Sequence, residues 1–163
     1  QHSAIAQRAE HYARTSPYKV RMVLPGPTGE ANTLAFAARG NVFCAATTLA
    51  SLLNQLAAIL ATGNTPVMEK STFALLPSDI PATLREAIVV TEDEKAHAQF
   101  ALVEPAQTSH YKALFAQENG QIICVLRCDE NTDVPLWRLL AERALCINTT
   151  AAGGNASLMT LEN

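Results

Sequence analysis

Four cysteines, four histidines and a scatter of carboxylates are the groups in this chain that could do chemistry, and their spacing decides which chemistry is open to them. Cys44 and Cys124 lie inside apolar, strand-like runs, where a free thiol behaves as a small hydrophobe. Cys124 and Cys128 are four positions apart, which on one strand separates them by about 13 Å. Cys146 stands alone near the end, and His2, His11, His97 and His110 are dispersed, so no set has the spacing of zinc ligands. Reduced structural thiols are predicted. Glu69, Glu104 and Glu142 fall near element ends without a partner visible in the sequence, and Glu92-Asp93-Glu94 reads as a solvated face. His97 and His110 have no nucleophile at a recognised spacing, and no Gly-x-Ser-x-Gly elbow occurs. The reading assigns no catalytic residue and no metal ligand.

The elements that would position such groups follow from hydrophobic periodicity. Residues 3–14 predict a helix with Ile5, Ala9 and Tyr12 on one face, ended by Ser16-Pro17. Residues 20–24 and 33–37 predict two short strands around the turn Pro25-Gly26-Pro27-Thr28-Gly29, a hairpin arm. Strands are then expected at 41–46, 65–69, 88–91, 100–103 and 121–127. Between them come a helix carrying Leu49, Leu52, Leu53, Leu56, Ile59 and Leu60, capped by Thr47 or Thr48 and stopped at Gly63-Asn64, and two short helical pieces at 73–76 and 81–87. A helix capped by Thr108 or Ser109 is expected to run to Gln117. The last element is predicted to be a helix over 134–145, with Leu136, Leu139 and Leu140 inward. Almost unbroken apolar strands alternating with helices mean a parallel sheet covered on both faces. The fold class is therefore α/β: a three-layer, doubly wound, mostly parallel sheet with a small hairpin arm and an extended C-terminal tail.

Such a sheet invites a dinucleotide, whose pyrophosphate needs glycines at the first strand–helix turn. Here that turn is Cys44-Ala45-Ala46-Thr47-Thr48-Leu49, without a glycine. The glycine-rich Gly26-Pro27-Thr28-Gly29 precedes a strand and contains a proline that removes a donor. No cofactor-binding residue is assigned. At 163 residues, 48% of them apolar and 17% charged, the chain has the dimensions of one globular domain. A net charge of −3 argues against a nucleic-acid surface, and no apolar run approaches the roughly 20 residues of a membrane span. No signal-peptide pattern opens the sequence, so a cytoplasmic setting is expected. Beginning at Gln1 within a helical pattern, the chain reads as a piece of something longer.

The tail is poor in large side chains and carries the pair Gly153-Gly154, so it is either frayed or laid against another surface. Its wording, Asn148-Thr149-Thr150-Ala151-Ala152-Gly153-Gly154-Asn155-Ala156-Ser157-Leu158-Met159-Thr160, resembles the closing motif of the proline utilization A family, bacterial enzymes that oxidise proline to glutamate. Leu24-Pro25-Gly26-Pro27-Thr28-Gly29-Glu30-Ala31-Asn32-Thr33-Leu34 resembles the segment opening that family's C-terminal domain, with Ala31 where a basic residue is expected. Gln55-Leu56-Ala57-Ala58-Ile59-Leu60-Ala61-Thr62-Gly63-Asn64 is similar to the helix between them.

The resemblance implies a domain like the nucleotide-binding domain of aldehyde dehydrogenases that has lost its active site. It implies a parent pairing a flavin-dependent proline dehydrogenase with an NAD-dependent glutamate-semialdehyde dehydrogenase, so that FAD and NAD belong to the parent and not to this chain. Residues 1–19 would then be a helical linker, 20–147 the domain with its arm, and 148–163 a docking motif. In that motif Asn148, Thr149, Gly153, Gly154, Asn155, Ser157, Leu158 and Met159 would close the cavity of the catalytic domain. The implied partners are the catalytic domains of the same polypeptide, with a homodimer possible. Catalytic aldehyde dehydrogenases carry Gly-Gln, one residue, then the nucleophilic cysteine; Gly120-Gln121-Ile122-Ile123-Cys124 is one residue too long, which on a strand turns the thiol to the opposite face. Cys124, among Ile122, Ile123, Val125 and Leu126, is also expected to lack the electropositive setting of a reactive thiolate. The alternatives are a self-contained α/β enzyme or nucleotide-binding protein, and a dimerisation module exchanging arm and tail.

Overall fold

The computed structural model describes residues 2–92, 98–117 and 119–148. In chain order these form α1 (His2–Thr15), β1 (Arg21–Leu24), β2 (Glu30–Ala38), β3 (Asn41–Ala45), α2 (Leu49–Ala61), β4 (Thr65–Glu69), α3 (Lys70–Phe73), α4 (Ala82–Ala87), β5 (Val89–Thr91), β6 (Phe100–Val103), α5 (Thr108–Phe115), β7 (Cys124–Arg127) and β8 (Leu140–Asn148). Short 3-10 turns cover Pro105–Gln107 and Leu136–Leu139.

Five strands make one parallel sheet in the order β5-β4-β3-β6-β7. Strand β3 is central, and the chain winds outward from it first through β4 and β5, then through β6 and β7. Because side chains alternate along a strand, each strand feeds both faces. Val42, Cys44, Met68, Phe100 and Leu102 pack with Leu52, Leu56 and Ile59 of α2 and with Tyr12 of α1. Phe43, Ala45, Val67, Ala101 and Val103 pack with Tyr111 and Phe115 of α5 on the other side. The ring of Phe43 lies 5.2 Å from that of Tyr111 and 5.8 Å from that of Phe115. Helices thus cover both faces, giving the three-layer α/β architecture expected.

Helix α2 lies over the middle of the sheet, and its polar residues fasten it as firmly as its leucines. Gln55, fully buried, donates to the carbonyls of Ala45 (3.0 Å) and Cys128 (2.9 Å), bridging the ends of β3 and β7. Asn54, also buried, donates to the carbonyls of Asp129 (2.7 Å) and Thr132 (2.9 Å). Helix α1 packs across α2. Its Tyr12 is buried, with the phenol accepting from the Val134 amide (2.8 Å) and donating to the Thr132 carbonyl (3.3 Å). Burial pushes that phenol up to about 12.

The chain differs from expectation most after β7. No helix covers 134–145. After Pro135 the chain makes a 3-10 turn and then extends as β8, paired with β2 along its whole length from Ala38↔Leu140 to Glu30↔Asn148. The leucine spacing that suggested a helix serves the turn equally well: Leu136, Leu139 and Leu140 are all buried. Asn64, buried at the end of α2, donates to the Leu139 carbonyl (2.9 Å) and accepts from the Gly40 amide (2.9 Å), fixing the turn beside the start of β3. The hairpin arm is consequently a three-stranded antiparallel sheet, β1-β2-β8. Two smaller differences concern α5 and β7. Thr108 sits inside α5 with its hydroxyl bonded to the Glu104 carbonyl (3.2 Å), so it caps nothing. Strand β7 starts at Cys124 because residues 121–123 lie outside the sheet, with Ile122 in solvent.

Replacing Tyr12 by phenylalanine leaves the Val134 amide and the Thr132 carbonyl without this partner in a dry site. The expected loss is about 1–2 kcal/mol of unfolding free energy, measured by urea denaturation with an unchanged m-value.

Candidate functional site

In a doubly wound sheet the place for chemistry is the crevice at the carboxyl ends of the strands where the winding reverses. Here that place lies between β3 and β6. Strand β3 leads through Ala46 and Thr47 into α2, whose N-cap Thr48 is extended (φ −125°, ψ 148°) and accepts from the Ser51 amide at 3.2 Å. Directly after β6 comes Glu104, a buried residue. Its backbone is pinned by its own amide to Ala45 O (3.2 Å) and by the Gln107 amide to its carbonyl (3.0 Å).

The Glu104 side chain lies across the mouth of α2. One carboxylate oxygen accepts from the Thr47 amide at 3.1 Å and the other from the Thr47 hydroxyl at 2.6 Å. Burial pushes this carboxyl up, but hydrogen bonds, led by those from the Thr47 hydroxyl and amide, outweigh it and hold the group below the ordinary glutamate range. Next to it Ser51 receives a hydrogen bond from Thr48 (3.0 Å) and donates to the carboxylate of Glu130 (2.9 Å). The Arg8 guanidinium of α1 meets the Glu130 carbonyl. The result is an anionic, internally bonded network at the helix N-terminus. Among the described residues no group of three or more histidines, cysteines or carboxylates could hold a metal.

Sequence reasoning named Glu104 and Thr47 separately and missed their pairing, which joins positions 57 apart. A legible signal existed: a glutamate directly after a fully apolar strand must find a donor if the strand end is buried.

The other candidates are dispersed. Glu69 accepts from Ser71 (3.1 Å), Glu142 stands on β8 opposite Phe36, and His110 lies edge-on to Tyr111 at 5.0 Å. Cys44 and Cys128 are buried, and burial pushes the Cys128 thiol up to about 12. Cys146 is exposed, and all four thiols are free. Cys124 departs from expectation: it is half-buried, and Arg138 points a guanidinium N–H at its sulfur at 3.6 Å. That neighbour comes from the turn before β8, which periodicity alone misplaces. The depression around it is lined by Arg39, Gln99, Gln121 and Arg138 and offers no carboxylate or imidazole as proton acceptor. Of the residues expected to dock, Asn148 closes β8 opposite Glu30, while Thr149, Gly153, Gly154, Asn155, Ser157, Leu158 and Met159 lie outside the described residues.

A carboxyl whose folded-state value is depressed adds stability above its unfolded value, ordinarily 4.5, and loses it as pH falls through the folded value. Between about pH 5 and about pH 3 the thermal midpoint of the wild-type chain is therefore expected to fall more steeply than that of Glu104→Gln. Equal slopes would exonerate this carboxylate.

No family model matches the chain. Among curated proteins, the bifunctional protein PutA of Escherichia coli is 35% identical over 159 residues, which cover 92% of this chain. The chain spans only 12% of the length of that relative. A solved structure of Bradyrhizobium japonicum proline utilization A superposes with a TM-score of 0.59 at 21% identity, covering 76% of this chain and 15% of that one. Thermus thermophilus 1-pyrroline-5-carboxylate dehydrogenase gives 0.52 at 17% identity, over 74% of this chain and 28% of that one. The solved structures establish a shared fold, and the sequence relation to PutA runs nearly end to end. The chain is therefore similar, over nearly its whole length, to a part of PutA, and its fold is that of the aldehyde dehydrogenases.

Proposed function

We propose that this chain is a non-catalytic domain of a bifunctional enzyme converting proline to glutamate, and that it braces the assembly and closes the cavity through which the semialdehyde intermediate passes. Its contribution is containment, keeping a reactive intermediate from bulk water without touching the bonds that change. FAD and NAD would then belong to the catalytic domains of the parent, in a cytoplasmic setting that keeps four free thiols reduced.

The observation that carries this reading is the path of β8. It leaves the body of the domain at buried Leu140, runs nine residues outward along β2, and delivers Asn148, the first residue of the docking motif, at the far end of the arm. Strand β8 is an edge of the three-stranded sheet, so its outer side offers backbone groups to which a further strand can add. Register puts Val23 of β1, Thr33 of β2 and Leu145 of β8 on one face, with Ile147 two residues on. Val23 is 83% exposed, Leu145 50% and Ile147 49%. An apolar patch of this kind, beside Arg21 and Arg143 on the same face, suits burial against another domain. The same face supports the second reading, pairing of two copies through their arms.

Deleting residues 148–163 from the full-length enzyme is expected to slow coupled proline-to-glutamate turnover several-fold and to release more semialdehyde, trapped with an aromatic amine, while the flavin half-reaction keeps its rate. Unchanged coupled turnover would sink the containment reading. Loss of dimer on sedimentation, with coupling intact, would favour the pairing of copies.

A further inference from the structure

We propose that the base of the arm carries a docking surface, centred on Trp137, Arg39 and Arg138, for an acidic segment of another domain of the parent polypeptide. This rests on reading the chain as one domain of a longer enzyme, and not on the tail. Were coupled turnover to survive the deletion with Trp137 still covered, containment would fall and this docking would stand.

The surface lies at the amino ends of β3, β6 and β7, the edge of the parallel sheet opposite to Glu104. Trp137, the single tryptophan of the chain, is 65% exposed and forms a wall shared by two depressions. One, of about 220 Å³, is lined beside the indole by Arg39, Gln99, Gln121, Ile122 and Arg138, and by no acidic residue. The other, of about 310 Å³, is walled by Tyr12, Pro17, Val134 and Leu136, with Asp133 among its polar groups.

Both arginines are held by bonds that leave their charge unanswered. Arg39 donates through Nε to the Arg138 carbonyl at 2.9 Å. Arg138 turns one N–H to the Cys124 sulfur, and its guanidinium lies 5.6 Å from the centre of the indole ring. Among the described residues neither has a carboxylate partner; the ion pair found there joins Lys70 to Glu92. Gln99 is fixed as well, its Oε1 accepting from the Asn41 amide at 2.5 Å, which leaves its N–H groups as further donors. Guanidinium groups already pinned take a carboxylate at less cost in side-chain entropy than free ones. Tryptophan and arginine side by side are the composition of an interface centre, and Ile122, 91% exposed, extends its apolar part. The occupant that fits is an extended stretch with an aspartate or glutamate over the arginines and a bulky apolar side chain beyond the indole. Asp133 sets that order, because it repels an acid from the second depression.

The test is hydroxyl-radical footprinting of Trp137, read by mass spectrometry, in the full-length enzyme and in the 163-residue chain. Trp137 is expected to oxidise several-fold more slowly in the full-length enzyme. Arg39→Glu in that enzyme is expected to restore most of the rate, and Arg39→Lys to keep the protection. In the lysine variant a zero-length carbodiimide is expected to join the introduced amine to an aspartate or glutamate outside residues 1–163. Equal rates in enzyme and chain would mean that nothing covers this face, and protection indifferent to Arg39→Glu would mean that charge does not hold the contact. A cross-link confined to residues 1–163, of the same copy or a second one, would overturn the assignment to another domain. If the chain does not fold alone, wild-type and Arg39→Glu full-length enzymes decide by the same measurement.

Discussion

Everything in this domain leans on the seating of α2 over the centre of a parallel sheet. A parallel sheet is buried on both faces, so a helix that covers its middle must satisfy polar groups as well as exclude water. Leu52, Leu56 and Ile59 do the second, and Gln55 and Asn54 do the first by taking the carbonyls of Ala45, Cys128, Asp129 and Thr132. A leucine at either position would fill space and leave those carbonyls without this donor, which in a dry interior costs about 1–3 kcal/mol for each group stranded. Helix α1 is secured through the same region, because Tyr12 bonds the Thr132 carbonyl that Asn54 also takes.

The N-terminus of that helix is covered by a side chain from the neighbouring strand. Free amides and a positive dipole end at a topological switch point are what a nucleotide-binding domain presents to its ligand. Here the acceptor is part of the chain. Glu104 brings its charge from the neighbouring strand, closes the hydrogen bonds of Thr47 and stays ionised because those bonds outweigh its burial. The carboxylate makes the end of β6, the start of α2 and the following 3-10 turn one connected unit.

At the opposite pole, the arm carries little core of its own. Its strands are held mainly by the ladder between β2 and β8 and by the anchor at their base, where Asn64 ties the Leu139 turn to Gly40. A narrow sheet with exposed apolar side chains is marginal alone and gains by being covered. The two sheets thus differ in kind: the parallel one is buried between helices, and the antiparallel one leaves apolar side chains of β1 and β8 exposed.

Much of this was legible in the residues. Strands β4 and β6 matched their predicted bounds, α2 and its Thr48 cap followed from the leucine period and the closing Gly63-Asn64, and the apolar strands implied a doubly wound sheet. The helix expected over 134–145 was not there, and the setting of Cys124 changed with it. Leu136, Leu139 and Leu140 satisfy the burial demands of a helix and of a turn entering a strand alike, and a local pattern does not record the nine-residue partner that β2 supplies. By itself the sequence determined the apolar strands and the leucine face of α2, which turns lack the glycines for a pyrophosphate, and which family its wording resembles. Tertiary structure alone decided that Glu104 meets Thr47 and that Arg138 meets Cys124. Those pairs join distant positions, and whether two groups touch depends on how strands are ordered in space, which no local period encodes.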